Sequence, residues 1–327
     1  METFQALILN NPDELFAAEL QSLPITALPE GEVLVQVGYS SLNYKDALAV
    51  TNMALVVRQF PIVPGIDLAG VVQESHDERF KPGDRVFATG WGLGEKYWGG
   101  FAQYARLKAD WLMPLPDGLD EQQTMQIGTA GFTAMLCVMA LEKQGVTPAS
   151  GEILVTGATG GVGSYAIVLL AKLGYQVVAA TGRAAQLGDY LKSLGAVRII
   201  TRLEPTKRPL AQPEWAGAID CVGSQTLATV LSQIHYGGSV ATCGLAGGGD
   251  LSTSVYPFIL RGVNLLGIDS VMQPLSQREL AWSRLAALMT DDRWQVMQSR
   301  VVRLDQVLEI SPQLLAGTSH GRTVVAC

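Results

Sequence analysis

The sequence predicts an α/β chain of two domains, a β-rich module followed by a doubly wound parallel sheet. Three observations lead there. At 327 residues the chain is longer than one average domain and shorter than three. Before Glu121 it reads as short strands broken by Pro and Gly, while after it helices alternate with short apolar strands. At the start of that alternation a Gly-rich turn, ATGGVG, stands between a strand and a helix.

In the first module, Pro29-Glu30-Gly31 is a turn signal ahead of the partly alternating EVLVQVGYSSLN. FPIVPGIDLAGVV sets two prolines and two glycines around an apolar core, and KPGDRVFATG is a turn followed by a strand. The module is β-rich, with functional loops. Beyond Glu121 comes a helix candidate, GTAGFTAMLCVMALEKQGV, then a strand over Glu152–Thr156 and a helix over Gly161–Leu173. Gly174 caps that helix and Gln176–Ala180 forms the next strand. Further units follow: a helix over Leu187–Leu194, strands at VRIIT and GAIDCVG, a helix around Thr226–Gln233, and strands at SVATCGLA and VNLLGID. After Ser270 an amphipathic helix over Ser276–Met289 and a last strand at RTVVA are too few to form a domain. They are expected to rejoin the first module, giving 1–122 plus 271–327 and 123–270.

Hydrophobic residues make up 48% of the chain and charged residues 16%, enough for a large core. A net charge of -7 argues against nucleic acid or an anionic membrane as partner. METFQALILNN lacks the basic region of a signal peptide, and the apolar stretch around Tyr165–Ala171 is too short to span a membrane. Cys137, Cys221, Cys243 and Cys327 form no CxxC pair and read as reduced thiols. A cytoplasmic enzyme acting on a small molecule is the expectation.

The turn Ala158-Thr159-Gly160-Gly161-Val162-Gly163 lies where a dinucleotide pyrophosphate would be held. Gly160 lets the backbone approach the phosphates, Gly163 permits close helix–strand packing, and the helix N-terminus offers free N–H donors. A Gly-rich turn alone is weak evidence, and its strand–turn–helix–strand setting strengthens it. Thr181 follows Gly163 by 18 residues, near the position where a carboxylate would hold the adenosine ribose. Here the chain has Thr181-Gly182-Arg183: a hydroxyl, a close backbone and a forked cation suited to a 2′-phosphate. Lys192 and Arg202 are further cations nearby. The alternative is that Arg183 is a solvated surface charge. The reading favours NADPH over NADH.

With SLNYKDAL, FPIVPGIDLAG, WGG, TGATGGVGS, YLKSLGA, CGLAGG, PFILRGV and GRT, the chain resembles the medium-chain dehydrogenase/reductase superfamily over essentially its whole length. Within it, these motifs resemble the acrylyl-CoA reductase branch, also labelled quinone oxidoreductase-like. The resemblance implies a GroES-like catalytic domain joined to a Rossmann NADP(H)-binding domain. Zinc-dependent members carry Cys where Asn43 stands, His-Glu at Ile66-Asp67 and another Cys near Thr129. Those ligands are absent here, and His76, His235 and His320 have no Cys partners at ligand spacing. A metal-free reduction of a conjugated C=C is therefore the implied chemistry.

The resemblance also implies site residues. Tyr44 would position cofactor and substrate and could donate a proton. Asn43 would either bind the enolate oxygen or order its loop, and Asp67 would either fix the loop or act. Lys45 and Asp46 read as structural. The backbone at Leu245 would reach the nicotinamide carboxamide, and Ile259 and Ser270 would line the cofactor. A homodimer paired through an edge strand, with VNLLGIDSV as the candidate, is expected. The acceptor is expected to be acrylyl-CoA, with a quinone or enone as the alternative. A non-catalytic NADPH-binding sensor would share the cofactor half.

Overall fold

The computed structural model describes residues 3–11, 15–206, 208–289, 296–297 and 299–327. They divide into two units, residues 1–129 with 298–327 and residues 130–297.

In the first unit, β1 (Thr3–Asn10) and β2 (Ala17–Pro24) form an antiparallel hairpin that pairs Leu7 with Leu20. β3 (Val33–Ser41) is the centre of the main sheet. It pairs antiparallel with β4 (Asp67–Ser75), β6 (Tyr104–Leu107) and β15 (Arg322–Ala326). β5 (Arg85–Thr89) and β7 (Met113–Pro114) extend the sheet beyond β4, and β14 (Ser299–Arg303) lies outside β15. Alternation explains β3, whose Val33, Val35 and Val37 pack with Leu68, Val72 and Val86 in one core cluster. A second cluster joins Phe4, Leu7 and Leu9 to Val50 of α1 (Tyr44–Thr51), Ile62, Phe101 and Val307 of a helix near the C-terminus, Val307–Leu315.

The helix α1 corrects the expectation of a loop at Asn43 and Tyr44. Asn43 is its N-cap, with extended φ −111° and ψ 166°, and Asp46 at the third helical position accepts the Asn43 N–H at 2.8 Å. The Asn-x-x-Asp spacing was the available signal. Helix α2 (Glu121–Lys143) is long and apolar enough by composition to span a membrane, contrary to the expectation that no stretch would be. Most of its apolar window is buried within the protein, and its backbone is broken at Gly128 (φ 48°, ψ −157°).

In the second unit, β8 (Glu152–Val155), β9 (Gln176–Ala180), β10 (Arg198–Ile200), β11 (Trp215–Asp220), β12 (Ile234–Thr242) and β13 (Asn264–Gly267) form one parallel sheet. Its spatial order is β10-β9-β8-β11-β12-β13, the doubly wound order in which the chain reverses direction beside the first strand. α3 (Gly161–Lys172), α4 (Ala184–Leu194), α5 (Ser224–Ser232) and α6 (Tyr256–Arg261) connect these strands. Burial on both faces accounts for their unbroken apolar runs, as in the wholly buried WAGAID of β11.

The domain boundaries differ from those expected from sequence. Helix α7 (Leu275–Leu288), assigned to the first module, belongs to the second unit. Its Trp282 stacks on Phe132 at 6.2 Å, and its Arg284 makes a two-pronged bond to Glu142, at 2.6 and 2.9 Å. An amphipathic pattern shows that a helix packs, but not against what.

Candidate active and cofactor sites

The cofactor candidates of the second unit follow the C-terminal ends of its parallel strands, where ligands of such sheets bind. The turn after β8 leads into α3, whose N-cap is Gly160. A Cβ on Gly163 would stand 2.4 Å from the Gly157 carbonyl oxygen and 2.8 Å from the Ala158 Cα, so only glycine brings α3 this close to the strand end. Beneath the turn lies a carboxylate that sequence reasoning missed. Asp220, fully buried at the end of β11, accepts the Thr156 hydroxyl at 2.6 Å and the Gly223 N–H at 2.8 Å. Burial raises its pKa, and these donors oppose the rise. Asp220 thus ties the ends of β8 and β11 together below the turn.

At the end of β9, Thr181 is buried and accepts the Arg183 N–H at 3.1 Å. The Arg183 guanidinium reaches back to the Gly-rich turn, donating to the Thr159 hydroxyl at 2.9 Å. Arg202 covers Gly182, where an added Cβ would stand 2.6 Å from its Nε. Two guanidinium groups therefore flank the position where a ribose-binding acid would stand. Lys192 is drawn into an exposed pair with Asp189 at 3.8 Å. Leu245 lines an open cavity of about 490 Å³ with Thr242, Cys243, Gly267 and Asp269. Ser270 follows directly, and its carbonyl accepts from the buried Arg278 at 3.2 Å. Ile259 lies exposed on α6 and is not among that cavity's lining residues.

The first unit brings Asn43 and Asp67 together and leaves Tyr44 open. Asp67, fully buried at the start of β4, accepts four hydrogen bonds. They come from the Ser41 hydroxyl (2.6 Å), Asn43 Nδ2 (2.9 Å), the Thr129 N–H (2.9 Å) and the Thr129 hydroxyl (2.5 Å). Asn43 Oδ1 accepts from Arg322 Nη1 at 3.1 Å, so both ends of this amide are engaged. Of the two readings of Asn43, the geometry favours ordering. Ser41 and Arg322 were not singled out from sequence, and Thr129 was named only as the place of an absent zinc ligand. Thr129 and Arg322 lie far from Asn43 along the chain, and Ser41, two residues before it, belongs to no motif that marks it. Tyr44 is 40% exposed. Lys45 pairs with Glu95 at 2.8 Å. Among the described residues, no three His, Cys, Asp or Glu side chains converge as a metal site.

Asp46 is a second buried acid in this cluster. Its two oxygens accept the N–H groups of Asn43 (2.8 Å) and Ile66 (2.9 Å). Burial, and then the charge of Asp67, push its pKa up from 3.8 to about 7, against the pull of those donors. Its folded pKa exceeds its unfolded value, so its contribution to stability is fully present below pH 3.8 and is lost as pH rises through about 7. Asp46→Asn should flatten that dependence. Between pH 5 and pH 7 the stability advantage of wild type over the variant should shrink by about 2 kcal/mol in urea unfolding. Parallel pH curves for the two proteins would contradict the assignment.

Comparison with known proteins places both sites in context. The alcohol dehydrogenase GroES-like domain model matches residues 29–117, and the zinc-binding dehydrogenase model matches residues 161–287. The chain is 53% identical over 322 residues to the probable acrylyl-CoA reductase AcuI of Escherichia coli K12, covering 98% of this chain and 99% of the relative. It is 52% identical to the acrylyl-CoA reductase AcuI of Ruegeria pomeroyi, covering 98% of each. The crystal structure of the yhdH oxidoreductase from Salmonella enterica in complex with NADP superposes with a TM-score of 0.96 at 52% identity, covering 99% of each chain.

Proposed function

Because the chain belongs to the medium-chain dehydrogenase/reductase superfamily, as a full-length relative of its acrylyl-CoA reductases, we propose that it reduces the C=C of acrylyl-CoA to propionyl-CoA with NADPH. The observation that carries the cofactor choice is the pair of guanidinium groups, Arg183 and Arg202, at the end of β9. The close packing at Gly163 brings the N-terminus of α3, with its free N–H donors, against the end of β8, and that arrangement fits a pyrophosphate.

When bound, NADPH supplies the hydride that the β-carbon of the thioester receives. The chain's own residues do the rest. The turn from Thr159 to Gly163 holds the pyrophosphate, and Thr181, Gly182, Arg183 and Arg202 hold the 2′-phosphate end. The backbone of Leu245 reaches the nicotinamide carboxamide, and Ile259 and Ser270 line the cofactor. Tyr44, 40% exposed, is the first residue of α1, directly after Asn43. It is assigned to orienting the reactants and to donating a hydrogen bond or proton as charge develops on the thioester oxygen and the α-carbon is protonated. Asn43 and Asp67 hold the first turn of the helix that presents it. β13 is an edge strand, and the adjoining α6 exposes Val255, Tyr256, Ile259 and Leu260, which supports a homodimer through that edge.

The test is a comparison of acryloyl-CoA, crotonyl-CoA and a simple quinone at matched concentrations, following NADPH oxidation and the products formed. The expected result is highest kcat/KM with acryloyl-CoA. Rapid quinone reduction without propionyl-CoA would assign the protein to the quinone reductases instead. Binding of NADPH with no turnover on any acceptor would make it a sensor.

A further inference from the structure

Arg322 has no part in the chemistry above, yet it sits at the centre of the cluster that supports Tyr44. It opens β15, is 5% exposed, and spans three elements with one guanidinium. Its Nε donates to the Gln126 carbonyl at 2.9 Å, two residues before the break in α2 at Gly128. Its Nη1 donates to Oδ1 of Asn43, the N-cap of α1. At the other end of the same amide, Asn43 Nδ2 donates to the buried carboxylate of Asp67.

The Asn43 amide is thus held between a cation at its oxygen and an anion at its nitrogen. Charge-assisted bonds at both ends fix its rotation, and Asp46 fixes its backbone N–H. Burying a guanidinium and a carboxylate costs solvation that well-packed apolar side chains would not, so stability alone gives little reason to keep them here. Position gives one. Tyr44 is the next residue after Asn43, and its side chain is exposed while the clamp behind it is buried.

We propose that Arg322 is a positioning residue, which through Asn43 fixes the first turn of α1 and with it the Tyr44 hydroxyl. This rests on the assignment of Tyr44 to the reaction. Lysine at position 322 would keep the charge, but a single ammonium cannot reproduce the fork that reaches Gln126 and Asn43 together.

The test is a double-mutant cycle of Arg322→Lys and Tyr44→Phe, with NADPH affinity read separately by fluorescence. Arg322→Lys should lower kcat about 10-fold or more, since a small misplacement of a positioned group is costly. It should leave the Kd for NADPH within about twofold of wild type, because the bonds of Arg322 to Gln126 and Asn43 lie within the first unit. In the Tyr44→Phe background the same change should cost less than about twofold further. Equal losses in both backgrounds would overturn the proposal and leave Arg322 a purely structural residue. The charge-neutral pair Arg322→Gln with Asp67→Asn, which leaves neither charge buried alone, should show the same dependence on Tyr44. A wild type inactive on acryloyl-CoA would refute the substrate reading instead, and the cycle would then be run on whichever acceptor it reduces. Amide exchange decides the matter without turnover. In Arg322→Lys, exchange over Tyr44–Thr51 should quicken about 10-fold while β9 keeps its protection. Unchanged protection of α1 would also overturn the proposal.

Discussion

Gly128→Ala is expected to destabilise the protein by roughly 2–6 kcal/mol, a large share of a typical total of about 5–15 kcal/mol. Two independent costs add. At φ 48° and ψ −157° the backbone occupies a region that a residue with a Cβ enters only under strain, worth about 1–3 kcal/mol. The new Cβ would also stand 2.6 Å from Asp67 Oδ2, 2.8 Å from the Ser41 hydroxyl and 2.9 Å from Arg322 Nη2. Relieving that overlap means opening the Asp67 cluster, at about another 1–3 kcal/mol. The urea midpoint should fall steeply, and activity should fall with it even where the variant remains folded. Gly188→Ala is the control. That glycine lies within α4 with no atom near an added Cβ, so the change should be neutral or stabilise by up to about 1 kcal/mol. Similar midpoints for the Gly128 variant and wild type would mean that the break in α2 is not held by this cluster.

Arg183→Ala is expected to weaken NADPH binding by about 1.5–3 kcal/mol, or roughly 10- to 150-fold in Kd. The guanidinium stands at the end of β9 with one nitrogen on Thr159, so a 2′-phosphate there would gain a charge-assisted bond that NADH has no group to make. Affinity for NADH should change by no more than about threefold. Arg183→Glu should go further and reverse the preference, since a carboxylate repels the phosphate and can accept from ribose hydroxyls. Equal weakening of both cofactors by Arg183→Ala would assign the residue to the turn's structure. Arg202 would then be left as the reader of the phosphate.

What could be read from sequence, and what could not, divides by the range of the interactions. The strand–turn–helix–strand run from Glu152 to Ala180 was legible because short apolar strands, a Gly-rich turn and a helix with Gly174 behind it are all local. Observed bounds of Gly161–Lys172 and Gln176–Ala180 depart little from the expected ones. The replacement of an acid by Arg183 was legible for the same reason. The Asn43 cluster was not. Its bond to Arg322 joins positions 279 residues apart, and its bond to Thr129 runs through Asp67, so no spacing rule connects its members. The break at Gly128 was hidden because Gly-Thr-Ala-Gly reads as small residues within an apolar helix, and only the crowded atoms around it show why glycine is required. α1 was missed for a different reason. It is an eight-residue helix, and the Asn43–Asp46 capping spacing is the one local signal that marks its start.

The central claim, that the protein delivers hydride to the β-carbon of acrylyl-CoA, is tested most directly by isotope placement in the product. NADPH carrying deuterium at the transferable C4 position would be incubated with the enzyme and acryloyl-CoA in ordinary water, and the propionyl-CoA analysed by mass spectrometry and NMR. The account predicts one deuterium on the β-carbon and a solvent-derived hydrogen on the α-carbon. Propionyl-CoA without deuterium, deuterium on the α-carbon, or NADPH oxidised without propionyl-CoA would contradict it.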